Sequence, residues 1–120
     1  MCLIGANGTG CEALKNLILP GIGKVLIVDD KKVTEQDIWN NFFLTPDSLG
    51  KDRGEETFKY LIELNPDDVS GKSIASLGHE GDFDELDLII ATDMNDETMK
   101  VYRDLCAKHK VPIIFVRCYG

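Results

Sequence analysis

Residues 4–10 read Ile4-Gly5-Ala6-Asn7-Gly8-Thr9-Gly10, and little else in the chain restricts its fold so much. The apolar pair Leu3–Ile4 runs straight into this turn. A segment with Cys11, Leu14, Leu17 and Ile18 at three- and four-residue spacing follows it. A glycine-rich turn that joins a strand to an amphipathic helix is the context a G-x-G-x-x-G phosphate-binding fingerprint requires. Its glycines let the backbone turn tightly and approach a phosphate, whose charge the helix N-terminus then stabilises. Gly5 and Gly10 hold the first and third glycine positions, Gly8 lies between them, and Asn7 replaces the middle glycine. Asn tolerates left-handed dihedrals, so the turn can form. Its side chain is expected where a phosphate would approach. Asp29 follows 19 residues after Gly10. That is near the roughly 20-residue spacing at which a carboxylate reaches ribose hydroxyls.

The rest of the chain alternates between two kinds of segment. Lys24–Val28, Leu86–Ala91 and Val111–Val116 are apolar runs of strand length, and Val69–Ala75 is a more polar candidate. Runs that are apolar on both faces suit parallel strands covered by helices. Phe58, Leu61 and Ile62 mark a helical face between residues 51 and 64, closed by Asn65-Pro66. Met99, Tyr102, Leu105 and Cys106 mark another between Asp96 and His109, and Pro20-Gly21 is placed to end the first helix. Strand–helix alternation with short connections predicts an α/β fold: a doubly wound, mainly parallel sheet with helices on both faces. The 120 residues fit one domain. Both ends look cut, because a central strand opens the chain almost at once and the last strand stops at Arg117-Cys118-Tyr119-Gly120. The expectation is one domain over 1–120, incomplete, from a longer chain.

Composition narrows the function classes. The formal net charge of −8 argues against a nucleic-acid surface or an anionic membrane, both of which call for clustered Lys and Arg. No apolar run nears the roughly 20 residues of a membrane span. The cysteines Cys2, Cys11, Cys106 and Cys118 form no C-x-x-C pair and have no His at ligand spacing. Reduced thiols and a cytoplasmic or nuclear location are expected, with no metal site.

Gly5–Gly23, Val28-Asp29 with Val33, Ala91-Thr92-Asp93 and the terminal Arg117-Cys118-Tyr119-Gly120 together resemble the adenylation-type, Rossmann-like fold of ubiquitin-like-modifier activating enzymes. Asn40-Asn41-Phe42-Phe43-Leu44, then Leu49-Gly50-Lys51-Asp52-Arg53, resembles the regulatory subunits of the neddylation branch of that family. The resemblance implies a non-catalytic half that forms a heterodimer with a catalytic subunit. That partner would hold ATP and Mg, adenylate a ubiquitin-like modifier and form the thioester.

Active members carry an arginine and a glutamine where alignment on Leu49-Gly50 places Asn40 and Asn41. Losing the guanidinium removes a contact to developing phosphate charge, of a kind that contributes about 3 kcal/mol. By resemblance, Gly5, Asn7, Gly8, Gly10, Asp29, Arg53 and Asp93 form a vestigial nucleotide site. Arg53 stands where active members hold a basic residue, and Asp93 where they hold a magnesium-binding aspartate. Because Asp29, Arg53 and Asp93 remain, an active ATP-dependent adenylating half is the alternative. An oxidoreductase rests on fold analogy alone.

Individual side chains have plainer expectations. Cys2, Cys11 and Cys106 are expected in the core, and Cys118 is not expected to be a nucleophile. His79 and His109 are expected at the surface, with His109 complementing a helix dipole. Asp82, Asp84, Glu85 and Asp87 read as a solvated acidic loop. Trp39, Asn40, Asn41, Phe42 and Phe43 fall in a segment with no regular pattern, and are expected at the interface with the catalytic subunit, where aromatic anchors are favoured. Packing beneath their own loop is the competing account of the aromatics.

Overall fold

A computed structural model describes residues 1–18, 23–41, 43–77 and 83–117, apart from the side chain of residue 18. In chain order the elements are β1 (Cys2–Ile4), α1 (Gly8–Ile18), β2 (Lys24–Val28), α2 (Glu35–Asn40), a 3-10 turn (Pro46–Ser48), α3 (Arg53–Ile62), β3 (Ser70–Ile74), β4 (Ile89–Thr92), α4 (Asp96–His109) and β5 (Ile113–Val116). The strands form one sheet in the order β3-β2-β1-β4-β5. Every pairing is parallel.

Each strand feeds the sheet according to its pattern. β1 is central and its three residues are all buried. Leu3 joins one hydrophobic cluster with Leu14, Ile27, Leu61 and Ile90, whereas Cys2 and Ile4 join another with Val28, Ile89, Ala91 and Cys106. The side-chain alternation of a strand therefore supplies two cores, one on each face of the sheet. Leu14 of α1 and Leu61 of α3 seal the first face, and Cys106, Tyr102 and Leu105 of α4 seal the second. Burying one such aliphatic side chain stabilises the fold by about 1.5–3 kcal/mol. β3 lies at the sheet edge and is largely exposed, which explains its polar sequence.

Several boundaries differ from the sequence expectation, β3 being one residue shorter at each end. β5 begins at Ile113 rather than Val111, since Pro112 has no N–H to give the ladder, although its carbonyl accepts from Ile89 at 2.9 Å. β4 begins at Ile89 and reaches Thr92, leaving Leu86 in the turn before it. α3 stops at Ile62, three residues short of Asn65-Pro66. The expected stop of α1 at Pro20-Gly21 lies outside the described residues, as do Phe42, His79, Asp82 and Cys118.

The larger correction concerns the aromatic segment. Residues Glu35–Asn40 form a helix rather than an irregular loop. Thr34 caps it: the Asp37 N–H donates to the Thr34 hydroxyl oxygen (3.3 Å), and the Thr34 N–H donates to the Asp37 carboxylate (2.9 Å). This is a capping box with Asp in the acidic position. None of the helix's residues is buried, so it has no apolar stripe that periodicity would reveal.

Candidate functional site

The strand order reverses between β1 and β4, and in open α/β sheets the crevice beyond the strand C-termini at such a point is where ligands bind. Register brings the parts together there. Ile4 is level with Val28 on one side and Ala91 on the other, so Gly5 and Asp29 leave the sheet beside Thr92, the last residue of β4. Gly5 has φ +89°, and a Cβ there would collide with the Thr92 hydroxyl. The first glycine is thus required on both counts. Asp93 itself takes a left-handed conformation, φ 49°, which Asp tolerates better than most residues.

Asn7 sits at the cap of α1. Its Oδ1 accepts from the Gly10 N–H at 2.9 Å. Its Nδ2 donates to Thr92 Oγ1 at 3.0 Å and to Asp93 Oδ2 at 2.7 Å. The side chain therefore takes up the Gly10 N–H at the helix N-terminus and bridges it to the end of β4.

Asp29 is placed differently from expectation. Its Oδ2 accepts from the Ala6 N–H and from Arg53 Nε, both at 2.7 Å, and its Oδ1 accepts from the Lys31 N–H at 2.9 Å. The side chain is 1% exposed. A carboxylate that is buried and bonded to three donors is not presented to a ribose. Arg53 does not point an open guanidinium at the crevice either, because its Nη1 donates to Asp37 Oδ1 at 3.2 Å and its side chain is 11% exposed. Burial opposes the Arg53 charge, but the bond to Asp29 and the two carboxylate charges outweigh it and raise the pKa. At Asp37 burial pushes upward, and the Thr34 bonds together with Arg53 bring the pKa below the ordinary carboxylate value. The sequence reading missed Asp37. The Thr34-x-x-Asp37 capping pattern was the available signal.

A cavity of about 620 Å³ opens above the turn, bounded by Asn7, Gly8, Thr9 and Glu12 on one side, Gln36, Asp37 and Asn40 of α2 on the other, and Asp93. α2 approaches closely: a Cβ on Gly8 would lie 2.5 Å from the Asn40 carbonyl oxygen. The described lining residues include three carboxylates and no Lys or Arg. No cluster of three or more metal-ligating side chains occurs among the described residues. The donor set is ill suited to a triphosphate, whereas its carboxylates are of the kind that hold magnesium beside phosphate oxygens. The helix-terminal Gly10 N–H and the Ala6 N–H are already used within the chain, and no Lys or Arg stands among the described lining residues.

The expected interface residues separate into two groups. Trp39 is 87% exposed, and Asn40 lines the cavity. Asn41 and Phe43 turn inward. Asn41 Nδ2 donates to Cys11 Sγ at 3.2 Å and reaches the Ala6 carbonyl at 3.5 Å, while its Oδ1 accepts from the Phe43 N–H at 3.1 Å. Phe43 packs into the core beside Leu14 and Leu61. Packing beneath the local loop is the right account of Phe43, and Asn41 braces the turn.

The remaining candidates are structural. Cys2, Cys11 and Cys106 are buried, and burial pushes the Cys2 thiol up to about 12 and that of Cys11 to about 11, so neither forms a ready thiolate. His109 departs from its expected surface role. Its ring stacks on Phe83 with centroids 4.9 Å apart, and its Nε2 is buried with no hydrogen-bond partner among the described residues. Asp84, Glu85 and Asp87 are exposed, as expected of a solvated loop.

The parallel sheet, the reversal between β1 and β4 and the glycine turn define a protein of the Rossmann-like α/β class. The ThiF family pattern matches residues 1–120, and the chain belongs to that family. Over 126 aligned residues covering all of the chain, it is 36% identical to the NEDD8-activating enzyme E1 regulatory subunit of Gallus gallus and 38% identical to that of Danio rerio. Over the whole of this chain it is 34% identical to the NEDD8-activating enzyme E1 regulatory subunit AXR1 of Arabidopsis thaliana. The chain spans 23% of the first, 24% of the second and 23% of the third of these relatives. Among solved structures, E. coli MccB with MccA superposes with TM-score 0.83 at 19% identity, covering 99% of this chain and 37% of that one. E. coli tRNA N6-threonylcarbamoyladenosine dehydratase in complex with AMP gives 0.76 at 17% identity, covering 95% and 48%. These two likenesses establish the fold.

Proposed function

We propose that the chain is the adenylation-type region of a non-catalytic regulatory half of a NEDD8-activating enzyme. It pairs with a catalytic subunit that binds ATP and Mg, adenylates the C-terminus of the ubiquitin-like modifier and forms the thioester. The observation that carries this reading is Asn40. Where the resemblance calls for an arginine, the crevice has an amide, set among the carboxylates of Glu12, Asp37 and Asp93. Activating a carboxylate as its adenylate concentrates negative charge on the phosphates in the transition state, and a site without cations cannot stabilise it. The likeness of the whole chain to a segment of NEDD8-activating enzyme E1 regulatory subunits supports the same assignment. In this reading the chain contributes shape and contact surface, with Trp39 as an exposed anchor, and does not turn over ATP. It has no nucleic-acid or membrane partner and works in the cytoplasm, the nucleus or both.

The test uses the intact protein, alone and mixed with the catalytic subunit of a NEDD8-activating enzyme. A stable complex is expected, with modifier-dependent ATP–pyrophosphate exchange only in the mixture. Exchange by the intact protein alone, abolished by Asp93→Ala, would establish the active half instead.

A further inference from the structure

The poor fit between the glycine turn and a nucleotide has a definite structural form. We infer that the turn carries its own built-in occupant: the Asn7 side chain stands in for a phosphate, and Asp93 is the positioning residue that holds it there. The inference deepens the proposed function, because it states why this site is closed to nucleotide, but it rests on different atoms.

A helix N-terminus has donors with no intrahelical partners, and a bound phosphate oxygen would accept from them. Here the Asn7 Oδ1 accepts from Gly10, the third residue of the helix, at 2.9 Å. An Asn at the cap position supplies a neutral oxygen of suitable geometry. A cap alone would leave the amide end free to rotate. Two acceptors fix it, Thr92 Oγ1 at 3.0 Å and Asp93 Oδ2 at 2.7 Å. The second is charge-assisted, and such bonds are roughly twice as strong as neutral ones. Asp93 reaches that place because its left-handed backbone turns the end of β4 toward the glycine turn. The carboxylate that by resemblance would hold a metal beside phosphates instead orients an amide that replaces the phosphate. A nucleotide would have to displace Asn7 from Gly10 and leave Asp93 facing phosphate charge. The turn therefore stays closed without any ligand.

Hydrogen exchange on the intact protein at single-residue resolution tests this, without catalytic partner or modifier. The Gly10 amide is expected to be protected in the absence of nucleotide. Asn7→Ala should speed its exchange by about tenfold, the size expected for a lost cap. The Cys11 amide is the internal control, since it donates to the Asn7 backbone carbonyl at 2.9 Å, a bond that none of the substitutions removes chemically. Asp93→Gly tolerates the left-handed backbone and removes the acceptor, and should speed Gly10 exchange several-fold while Cys11 is unchanged. Because Asp93 acts through Asn7, the double variant should exchange no faster at Gly10 than Asn7→Ala. A cap that owes nothing to Asp93 would leave Gly10 unmoved in Asp93→Gly, and that result overturns the inference. So does protection of residues 8–10 by added AMP and Mg in the unmodified protein. If Asn7→Ala fails to fold, Asn7→Ser keeps a capping oxygen on a shorter arm. In it Gly10 should stay protected, with Asp93→Gly no longer having any effect; a persistent Asp93 effect would be contrary. None of these results depends on complex formation or pyrophosphate exchange, so the proposed function can fail separately.

Discussion

Arg53 concentrates much of the electrostatics of this region. Its guanidinium joins Asp29 at the end of β2 to Asp37 on α2, and both contacts lie largely out of solvent. Removing one member of a buried ion pair leaves the other charge uncompensated, at a cost of about 3–5 kcal/mol. Arg53→Leu should therefore lower the unfolding free energy by about that amount in urea titrations. Arg53→Lys should restore only part of it, because an ammonium cannot serve two carboxylates through a fixed fork. The pH dependence has a definite sign. The folded-state pKa of Asp37 lies below the unfolded one, so its contribution is fully present above the unfolded pKa. That contribution is lost as pH falls through the folded value. Acid titration of Asp37→Asn should lack that component, and an unchanged acid limb would contradict the assigned role. The thiols make a parallel case: with Cys2 raised to about 12 and Cys11 to about 11, neither should be alkylated by iodoacetamide at pH 8 in the native protein, and both should react after unfolding.

At the scale of elements, α2 depends on its ends. Six residues without buried side chains have too little packing to be helical by themselves, and isolated helices of that length are marginal in water. The Thr34 capping box and the Arg53–Asp37 tie hold it above the glycine turn. Thr34→Ala should cost about 1 kcal/mol, seen as faster exchange of the Asp37 and Ile38 amides with α1 and α4 unaffected. The reading of the sequence succeeded where an element had an apolar face and failed here. α1, α3 and α4 carry stripes that meet one core or the other, and the central strands β1 and β4 carry runs buried on both sides. α2 carries neither, and Thr34 with Asp37 was the whole of its local signature.

Across the whole molecule, of the three aromatics expected at an interface, the two that are described lie on opposite sides of the chain's own surface. Trp39 is exposed and Phe43 is core. Phe43→Ala should destabilise the fold by about 3–5 kcal/mol, as expected of a buried ring removed from a packed cluster. Trp39→Ala should leave the melting temperature unchanged and weaken binding to the proposed catalytic subunit at least tenfold, roughly the size of an interface hot spot. Calorimetric titration of the two subunits checks this, and unaltered affinity would remove Trp39 from the interface.

The amino-acid sequence by itself determined the alternation of parallel strands and helices, the glycine turn and the place of Asp29 at the end of β2. Those features are written in local spacing, in periods of two and of three to four and in the conformational freedom of glycine. Tertiary structure alone decided what the polar groups do. Asp29 faces Arg53 and two backbone amides, Asn7 reaches Asp93 across 86 positions of chain, and Phe43 turns into the core while Trp39 turns out. Side-chain hydrogen bonds of that kind depend on which strand ends the sheet brings level, and no spacing along a single segment records it.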